Sequence, residues 1–520
     1  MESKISYPVG IQTFSEIINE GYLYVDKTRI LYDLVKNNKY IFLSRPRRFG
    51  KSLLISTIEA YFQGRKELFE GLAVSLLEKD WSAYPVIRFD LSGESYERPD
   101  KVVKRLNVIL SRYEEIYGSN SVEETPAARF GGLIRRAAKQ TGKKVVILVD
   151  EYDKPMVDNI HDEELTEGFK SELRGFYSVI KESDEFIHFA MLTGVTKFSH
   201  VSIFSGLNNL SDISMLAQYN DICGISESEF HNYFGSSISN YAATHKNTEA
   251  EVWQDFKFNY DGYHFSKSEE GIYNPYSVLK AFKFNEIEQY WFQSGTPDFL
   301  VKIIKKNPYA LYDLEGQYFK SADLSDITHP EADSHAIFYQ AGYLTIKGYD
   351  KETQRYMLGF PNEEVRAGFW DSLYRQYIFK GAFRSTFDIY TFLDEIKTGN
   401  VEDFMKRLQA LVSSISPGVD KGKEVHFQNV MQIVFKMLGL NVKTEVESSN
   451  GRCDMTVETP SYAFVFEFKI NATAEKALNQ IKEKGYANRF KADSRKVYLI
   501  GSNFSTETNE LDSFLIEPLN

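Results

Sequence analysis

Short apolar runs alternate with longer amphipathic runs from about residue 40 to residue 209. The apolar runs predict strands at Tyr40–Ser44, Val86–Asp90, Val145–Val149 and Phe186–Thr193. Between them, apolar residues recur at a spacing near 3.6, which predicts helices over Leu53–Phe62, Lys101–Tyr117 and Leu165–Lys181. This alternation is typical of βαβ units. We therefore predict an α/β fold with a doubly wound, mainly parallel sheet.

The pattern becomes irregular and mainly helical from about residue 225 to residue 397. Helical spacing is clearest at Glu227–Phe234, Asn274–Phe282 and Glu363–Tyr377. We expect an all-α or mixed lid and linker region here.

A second boundary is expected near Ser413–Gly422, where turn and breaker residues gather. Beyond it, the pattern predicts helices over Glu424–Leu438 and Thr473–Tyr486, and strands at Asp454–Val457, Tyr462–Phe468 and, as the last strand, Lys496–Ile500. This is a small α/β unit. A chain of 520 residues exceeds one hydrophobic core, so we predict three parts: residues 1–224, 225–412 and 413–520.

Composition narrows the class of protein. The formal charge of −12 argues against binding nucleic acid through global electrostatics, although local basic patches remain open. The 33 Tyr and 39 Phe residues favour core and interface packing over a base-stacking surface. Cys223 and Cys453 lie far apart, without the neighbours of a zinc site or disulfide scaffold.

With neither a signal peptide nor a membrane-spanning run, we expect a cytoplasmic protein that does not contact membrane.

A phosphate-binding motif lies between the first predicted strand and the first predicted helix of the sheet. Ser44–Ser52 has the sequence SRPRRFGKS, in which Gly50, Lys51 and Ser52 occupy the last three positions of the P-loop pattern. Lys51 would contact the β- and γ-phosphates of a nucleotide, and Ser52 would ligate Mg²⁺. A bare Gly-Lys-Ser tripeptide is more often a surface turn, but the strand–loop–helix context favours nucleotide binding.

The same motif departs from the general P-loop pattern, because Arg45 stands where the first glycine is expected. Arg45, Arg47 and Arg48 are each either a positive charge near phosphate or a solvated loop arginine. The sequence leaves those two alternatives open.

Two adjacent carboxylates follow the predicted strand at Val145–Val149. Asp150 would hold Mg²⁺, and Glu151 would polarise the attacking water, as in other P-loop enzymes. Alone, such a pair is more often a helix cap or a solvated turn, and the upstream P-loop reverses that preference. At the end of the next strand, Thr193 or Lys197 is placed to sense the γ-phosphate; a capping threonine and a surface lysine are the alternatives.

A third group of charges lies near the C-terminus. Asp454 opens one apolar strand, whereas Glu467 and Lys469 alternate on another and so share one face. Two carboxylates brought together there could bind a divalent metal, with Lys469 orienting the attacking water. The alternative is an Asp turn and a Glu–Lys pair on an exposed strand. The apolar surroundings, AFVFEFK, favour the metal site because unpaired charges would be costly there.

These motifs resemble bacterial AAA-ATPase-like proteins that carry a C-terminal PD-(D/E)XK nuclease-like domain. The similar stretches run from residue 7 to residue 487 in the expected order. They are YPVGIQTFSEIINEGYLYVDKT, SRPRRFGKSLLISTIEAYFQG, ILVDEYDKP, LTGVTKFSHVSIFSGLNNL, NYDGYHF with YNPYSVL, and GRCDM…FEFK…QIKEKGYA. The form RPRRFGKS is itself typical of that family.

The resemblance implies a P-loop NTPase domain over residues 1–224, a largely helical region over 225–412 and a restriction-endonuclease-like domain over 413–520. It implies an ATP site and two Mg²⁺ sites. Together with the motifs, it leads us to predict ATP contacts at Arg48, Gly50, Lys51, Ser52, Asp150 and Thr193, metal ligands at Ser52, Asp150, Asp454 and Glu467, and catalytic residues at Glu151, Asp454, Glu467 and Lys469. Gln480 and Tyr486 would support the nuclease residues.

The leading hypothesis is that ATP binding and hydrolysis control Mg²⁺-dependent cleavage of DNA or RNA. An alternative of another class is a nucleotide-dependent switch or scaffold whose C-terminal domain binds a partner or nucleic acid without cutting it. A third is an ATPase-like protein that binds nucleotide without turnover, because the first glycine is missing. A homo-oligomer is also expected, since ATPases of this type often complete their sites across subunits.

Overall fold

The computed structural model describes residues 5–160, 162–197, 209–293, 303–304, 307, 311, 314–325, 334–375, 388–413, 424–448, 451–508 and 510–519. The chain divides into two compact units. Unit 1 comprises Met1–Ser294 and Glu315–Val365, and unit 2 comprises Gly295–Leu314 and Arg366–Asn520. Each unit has its own five-stranded sheet.

The sheet of unit 1 is entirely parallel. Its strands are β1 (Tyr40–Ser44), β2 (Val86–Asp90), β3 (Val145–Asp150), β4 (Ile187–Gly194) and β5 (Ser211–Asp212). Their spatial order is β2-β3-β4-β1-β5, so β4 lies between β1 and β3. Every residue of β1 and β3 is buried, as expected where helices cover both faces of a parallel sheet. The carboxyl ends of β1, β4 and β3 are therefore neighbours at one edge.

Amphipathic helices connect and cover these strands. They are α1 (Phe14–Asn19), α2 (Thr28–Asn37), α3 (Lys51–Phe62), α4 (Val74–Leu77), α5 (Pro99–Tyr117), α6 (Pro126–Thr141), α7 (Lys154–Asp158) and α8 (Glu163–Glu182). Apolar faces of α5, α6 and α8 pack with β2 and β3 in one core cluster, which includes Leu106, Phe130, Ile147 and Phe176. This burial, at about 25 cal/mol per Å² of apolar surface, is what holds the helices to the sheet.

The rest of unit 1 is helical with small antiparallel sheets. Its helices are α9 (Glu227–His245), α10 (Glu249–Tyr260), α11 (Pro275–Phe284), α12 (Tyr290–Gln293), α13 (Ser321–Ser325) and α14 (Ser334–Ala341). Strands β6 (Ile225–Ser226) and β7 (Ile272–Tyr273) pair with each other, and β8 (Tyr318–Phe319), β9 (Thr345–Asp350) and β10 (Arg355–Gly359) form a three-stranded sheet. Stacked aromatic rings, among them Phe230, Phe256 and Phe282, form its core.

Unit 2 contains a mixed sheet with helices. The helices are α15 (Glu363–Leu373, which begins in unit 1), α16 (Ile389–Thr398), α17 (Val401–Ser413), α18 (Glu424–Met437) and α19 (Ala474–Lys484). The strands are β11 (Asn441–Ser448), β12 (Gly451–Glu458), β13 (Tyr462–Ile470), β14 (Lys496–Ser505) and β15 (Glu510–Pro518), in sequential order across the sheet. Only β13 and β14 are parallel, and α19 is the crossover between them.

The α/β class, the parallel first sheet, the helical middle and the small C-terminal α/β domain are all confirmed. Predicted strands agree with β1 and β2 at both ends and with β3 and β4 to within one residue. One prediction was wrong: Lys496–Ile500 is not the last strand, because β15 follows it. Of the two alternatives for the middle region, all-α and mixed, the sheet β8-β10-β9 supports the mixed one.

The division at residues 224 and 412 stays a prediction. In the structure, the middle segment is shared, with residues up to Val365 in unit 1 and residues from Arg366 onward in unit 2. Most of the boundary predicted at Ser413–Gly422, and the end of the helix predicted to Tyr377, lie outside the described residues. No helix in the part of the chain that the structure describes is long and apolar enough to cross a bilayer.

Candidate active sites

The P-loop leaves the end of β1 and turns into α3. Gly50 has φ 90°, a left-handed conformation that favours glycine, and α3 begins at the next residue, Lys51. The first backbone N–H groups of a helix have no partner within it and carry the positive end of the helix dipole. The turn at Gly50 therefore presents the start of α3, with Lys51 and Ser52, as a site for anionic phosphate.

Lys51 is held by the loop that precedes it. Its side chain is buried, and Nζ donates hydrogen bonds to the backbone carbonyl oxygens of Arg45 at 2.9 Å and Pro46 at 3.1 Å. Burial lowers the pKa of the Lys51 ammonium, while the nearby carboxylates of Glu151 and Asp150 oppose that shift. The ammonium thus lies inside the loop, among acceptors that phosphate oxygens can replace.

Arg45 has a role that neither sequence alternative described. It is 1% exposed, and its guanidinium donates to the carbonyl oxygens of Ser44, Ser214 and Tyr219 at 2.8–3.0 Å. It also lies 4.1 Å from the ring centroid of Phe265. Arg45 therefore fastens the start of the P-loop to the β5 side of the sheet, which accounts for an arginine where the general motif has glycine.

The other two loop arginines are exposed. Arg48 has φ 71°, and its guanidinium lies 4.7 Å from the Tyr276 ring centroid; Arg47 Nη2 lies 4.0 Å from Asp158 Oδ1. Both are accessible to an anion.

The acidic pair lies at the end of β3, as predicted. Asp150 is 1% exposed; its Oδ1 accepts a hydrogen bond from Thr193 Oγ1 at 2.8 Å, and its Oδ2 lies 3.7 Å from Arg88 Nη2. Glu151 adopts φ 53°, an uncommon conformation for a residue other than glycine. Burial raises the pKa of the Glu151 carboxyl, and Lys51 opposes the shift. Lys51, which follows β1, therefore interacts with Asp150 and Glu151 at the end of β3, with the end of β4 between the two strands.

Thr193 and Lys197 have different positions. Thr193 is fully buried beside Asp150, so it belongs to the acidic group. Lys197 Nζ forms an ion pair with Asp212 Oδ2 at 2.8 Å.

Sequence reasoning missed Asp153. This residue is 1% exposed, and its Oδ2 accepts hydrogen bonds from Val195 N at 2.9 Å, Thr196 N at 2.6 Å and Thr196 Oγ1 at 2.6 Å. Burial raises the pKa of the Asp153 carboxyl, and these hydrogen bonds oppose that shift. The available signal was its place three residues after Asp150 in the acidic motif.

In unit 2, the two carboxylates predicted to bind metal lie on adjacent strands. Asp454 on β12 is 8% exposed, and its Oδ2 accepts the backbone N–H of Phe468 at 2.6 Å. Glu467 precedes Phe468 on β13 and is 1% exposed. The pairing of Met455 with Phe466, extended by one residue, brings Asp454 opposite Glu467. The strand register therefore places the side chains of Asp454 and Glu467 side by side on one face of the sheet.

Glu467 is the centre of a side-chain network. Its Oε1 accepts from Lys469 Nζ at 2.8 Å and from Gln480 Nε2, and Gln480 Nε2 also lies 3.2 Å from the Tyr486 hydroxyl. All the predicted nuclease residues are thus together. Burial raises the pKa of the Tyr486 hydroxyl, with the charges of Glu467 and Asp454 adding to the shift. Within the described ranges, no group of three or more His, Cys, Asp or Glu side chains has the arrangement of a metal site.

Comparisons with known proteins agree with this architecture. A family model described as a predicted AAA-ATPase matches residues 8–204, and a model of the PD-(D/E)XK nuclease superfamily matches residues 422–513. An uncharacterized protein in the vnfD 5'region of Azotobacter chroococcum mcd 1 is 36% identical over 531 residues, which cover 99% of this chain and 100% of that protein. The chain belongs to this AAA-ATPase-like family with a PD-(D/E)XK domain.

Family membership confirms the resemblance inferred from the motifs. Proteins with these two domains generally use a nucleotide and a divalent metal. The oxygen-rich groups around Asp150 and Asp454 fit a hard cation such as Mg²⁺, which prefers carboxylate ligands. Both cysteines are free and buried, so neither takes part in a disulfide.

Proposed function

We propose that this chain binds and hydrolyses ATP with Mg²⁺ in unit 1, and that the nucleotide controls Mg²⁺-dependent cleavage of DNA or RNA by its C-terminal domain. One observation carries the proposal: each unit brings a lysine close to two carboxylates, the pattern that phosphoryl chemistry requires. The proposed partners are therefore ATP and nucleic acid, and a homo-oligomer stays a prediction.

In the ATPase site, Lys51 would exchange the carbonyl oxygens of Arg45 and Pro46 for β- and γ-phosphate oxygens. Ser52 and Asp150 would hold Mg²⁺, which neutralises the charge of the phosphates. Glu151 would orient the attacking water. Burial raises the pKa of the Glu151 carboxyl toward neutral pH. A general base is most effective when its pKa lies near the pH at which the enzyme works.

In the nuclease-like site, Asp454 and Glu467 would hold the metal, which lowers the pKa of a bound water and stabilises charge on the phosphate. Oε1 of Glu467 already accepts from Lys469 and Gln480, so these two residues fix the orientation of the carboxylate. Lys469 is partly exposed, and its ammonium can therefore reach the substrate phosphate while it remains beside Glu467.

A second candidate is a nucleotide-dependent switch whose C-terminal domain binds a partner or nucleic acid without cutting. It is favoured by the direct ion pair between Glu467 and Lys469, because a carboxylate already neutralised by an ammonium is a weaker ligand for a cation. The chain's formal charge of −12 also favours this candidate over a general DNA-binding protein.

The test measures ATP hydrolysis and the cleavage of plasmid, linear and single-stranded substrates with Mg²⁺, with and without ATP. We expect wild-type cleavage to be lost in Glu467→Ala, while ATP hydrolysis is retained. Glu475→Ala, which removes a carboxylate from the first turn of α19, is the control and should cleave normally. Hydrolysis of ATP without cleavage of any substrate would support the switch, and absence of ATP hydrolysis would contradict the ATPase assignment.

A further inference from the structure

The loop that follows β4, residues 194–197, lies between the P-loop and the acidic motif. β4 is flanked by β1 on one side and β3 on the other. Gly194 O accepts the backbone N–H of Arg45 at 3.1 Å, and Thr193 O accepts that of Tyr152 at 3.0 Å. The loop is thus bonded to both motifs that would act on the terminal phosphate.

Asp153 fixes the shape of this loop. One carboxylate oxygen accepts two successive backbone N–H groups, from Val195 and Thr196, together with the hydroxyl of Thr196. Hydrogen bonds to an ionised acceptor are shorter and about twice as strong as neutral ones. Tyr152 adds a bond from its hydroxyl to Thr196 O at 2.9 Å. All of these groups are buried, so water does not compete for them.

Close approach to Asp153 also explains a glycine at position 194. A β-carbon there would lie 2.6 Å from Asp153 Oδ1 and 2.6 Å from the Tyr152 ring, which is closer than real contacts allow. The loop backbone and the acidic motif are therefore in direct contact, and any displacement of the loop moves Thr193 relative to Asp150.

The other end of the loop is bonded to α14. Lys197 N donates to Gln340 Oε1 at 2.7 Å, and Gln340 Nε2 donates to Leu324 O at 2.7 Å. Gln340 is buried. The loop therefore links the acidic motif to a helix that lies late in the sequence of unit 1.

We propose that Asp153 is a positioning residue for ATP hydrolysis: through Thr196 it holds the 194–197 loop so that Thr193 and Asp150 keep their places beside the terminal phosphate. This inference rests on the proposed ATPase function. Asp153 also interacts electrostatically with Lys51, so removing the hydroxyl of Thr196, rather than the charge of Asp153, separates the hydrolytic step from nucleotide affinity.

Thr196→Val tests the inference without changing side-chain shape, because it removes only the hydroxyl that donates to Asp153. The control is Thr28→Val: Thr28 is also buried, and its hydroxyl donates to Asp26 Oδ1 at 2.6 Å and accepts from Val74 N at 3.0 Å, on α2 rather than in either motif. Thr196→Ser keeps the hydroxyl and serves as the conservative variant.

We expect Thr196→Val to lower kcat for ATP hydrolysis about tenfold, while the Kd for ATP changes by less than about twofold. Thr196→Ser should retain the wild-type kcat. Thr28→Val should lower the melting temperature as much as Thr196→Val without lowering kcat. Asp153→Asn should repeat the kcat loss.

An unchanged kcat in Thr196→Val beside an active wild type would overturn the inference and leave the proposed function standing. Equal kcat losses in Thr196→Val and Thr28→Val would also overturn it, since the effect would then follow stability alone. A wild type that does not hydrolyse ATP would overturn both the proposed function and this inference.

Discussion

The two candidate sites use a lysine in opposite ways. In unit 1, Lys51 is bonded to the backbone carbonyls of its own loop, and the carboxylates of the site are held by other groups. In unit 2, Lys469 is bonded directly to Glu467. A neutral carbonyl is more easily exchanged for phosphate than a buried carboxylate is. The first site is therefore ready to bind an anion, whereas the second maintains the charge of a carboxylate.

Another buried carboxylate, Glu364 of unit 1, lies outside both candidate sites. Glu364 is 2% exposed and accepts from Ser277 Oγ and Trp291 N, both at 2.9 Å. Among the described residues, no Lys or Arg nitrogen forms a salt bridge with it, whereas Glu467 is paired with Lys469. Burial raises the pKa of Glu364 to about 8. Burial therefore favours the neutral form of Glu364, whereas Glu467 has an ammonium beside it.

The largest expected effect is a pH dependence that comes from Glu364. Its folded-state pKa of about 8 exceeds the ordinary glutamate pKa of 4.5, so the native state retains a proton that the unfolded state loses. Stability of unit 1 should fall as pH rises from 5 to 9, by about 4 kcal/mol from this group. Denaturant unfolding of wild type and Glu364→Gln at several pH values measures the difference. Parallel curves for the two proteins would contradict the prediction.

The next effect sharpens the contrast between the two lysines. Lys469→Met should destabilise unit 2 by about 3 kcal/mol, because it leaves Glu467 buried without its ammonium partner. Lys482→Met breaks a surface pair with Glu517 and should cost less than about 1 kcal/mol. Calorimetric unfolding of both variants measures the two costs. If Lys469→Met is as stable as the wild type, the ion pair between Lys469 and Glu467 does not stabilise unit 2.

Lys51→Met should weaken ATP binding about a hundredfold, which corresponds to about 2.7 kcal/mol, the size expected for a charged hydrogen bond. It should also destabilise unit 1 by about 1–3 kcal/mol, because the buried carbonyl oxygens of Arg45 and Pro46 lose the donor that satisfies them. Titration of ATP into wild type, Lys51→Met and the surface control Lys66→Met measures the affinities. If Lys51→Met binds ATP with the affinity of the wild type, Lys51 does not contact the phosphates.

The smallest effect is expected at the edge of the Glu467 network. Tyr486→Phe removes the hydroxyl that lies 3.2 Å from Gln480 Nε2, and it should cost about 1 kcal/mol or less. Gln480 would still bond Glu467, so cleavage should persist. Denaturant unfolding and a cleavage assay check both points. Loss of cleavage with full stability would show that Tyr486 acts on the substrate instead.

Sequence patterns predicted the central strands of both sheets because those strands are short apolar runs. They missed α6, which packs closely against α8 but contains the adjacent glycines Gly131 and Gly132. Glycine weakens helix propensity, and only the tertiary contact offsets that loss. The edge strands β11 and β15 were missed as well, since they mix polar residues with apolar ones.

The positions of the candidate site residues were predictable where a motif fixes their spacing, as for Gly50–Ser52 after β1 and Asp150–Glu151 at the end of β3. The role of Arg45 was not, because its partners Ser214 and Phe265 lie far away in sequence. Asp153 was missed for the same reason, as its partners lie at the end of another strand. Hydrogen bonds between distant segments leave no local pattern for sequence reasoning to detect.

We propose that the two sites are coupled, and the most direct test is the rate of nucleic-acid cleavage as a function of ATP concentration in wild type and Lys51→Met. Coupling predicts that ATP changes the rate of the wild type, whereas the rate of Lys51→Met stays the same at every ATP concentration. An identical response to ATP in both proteins, or cleavage that ATP never affects, would contradict it.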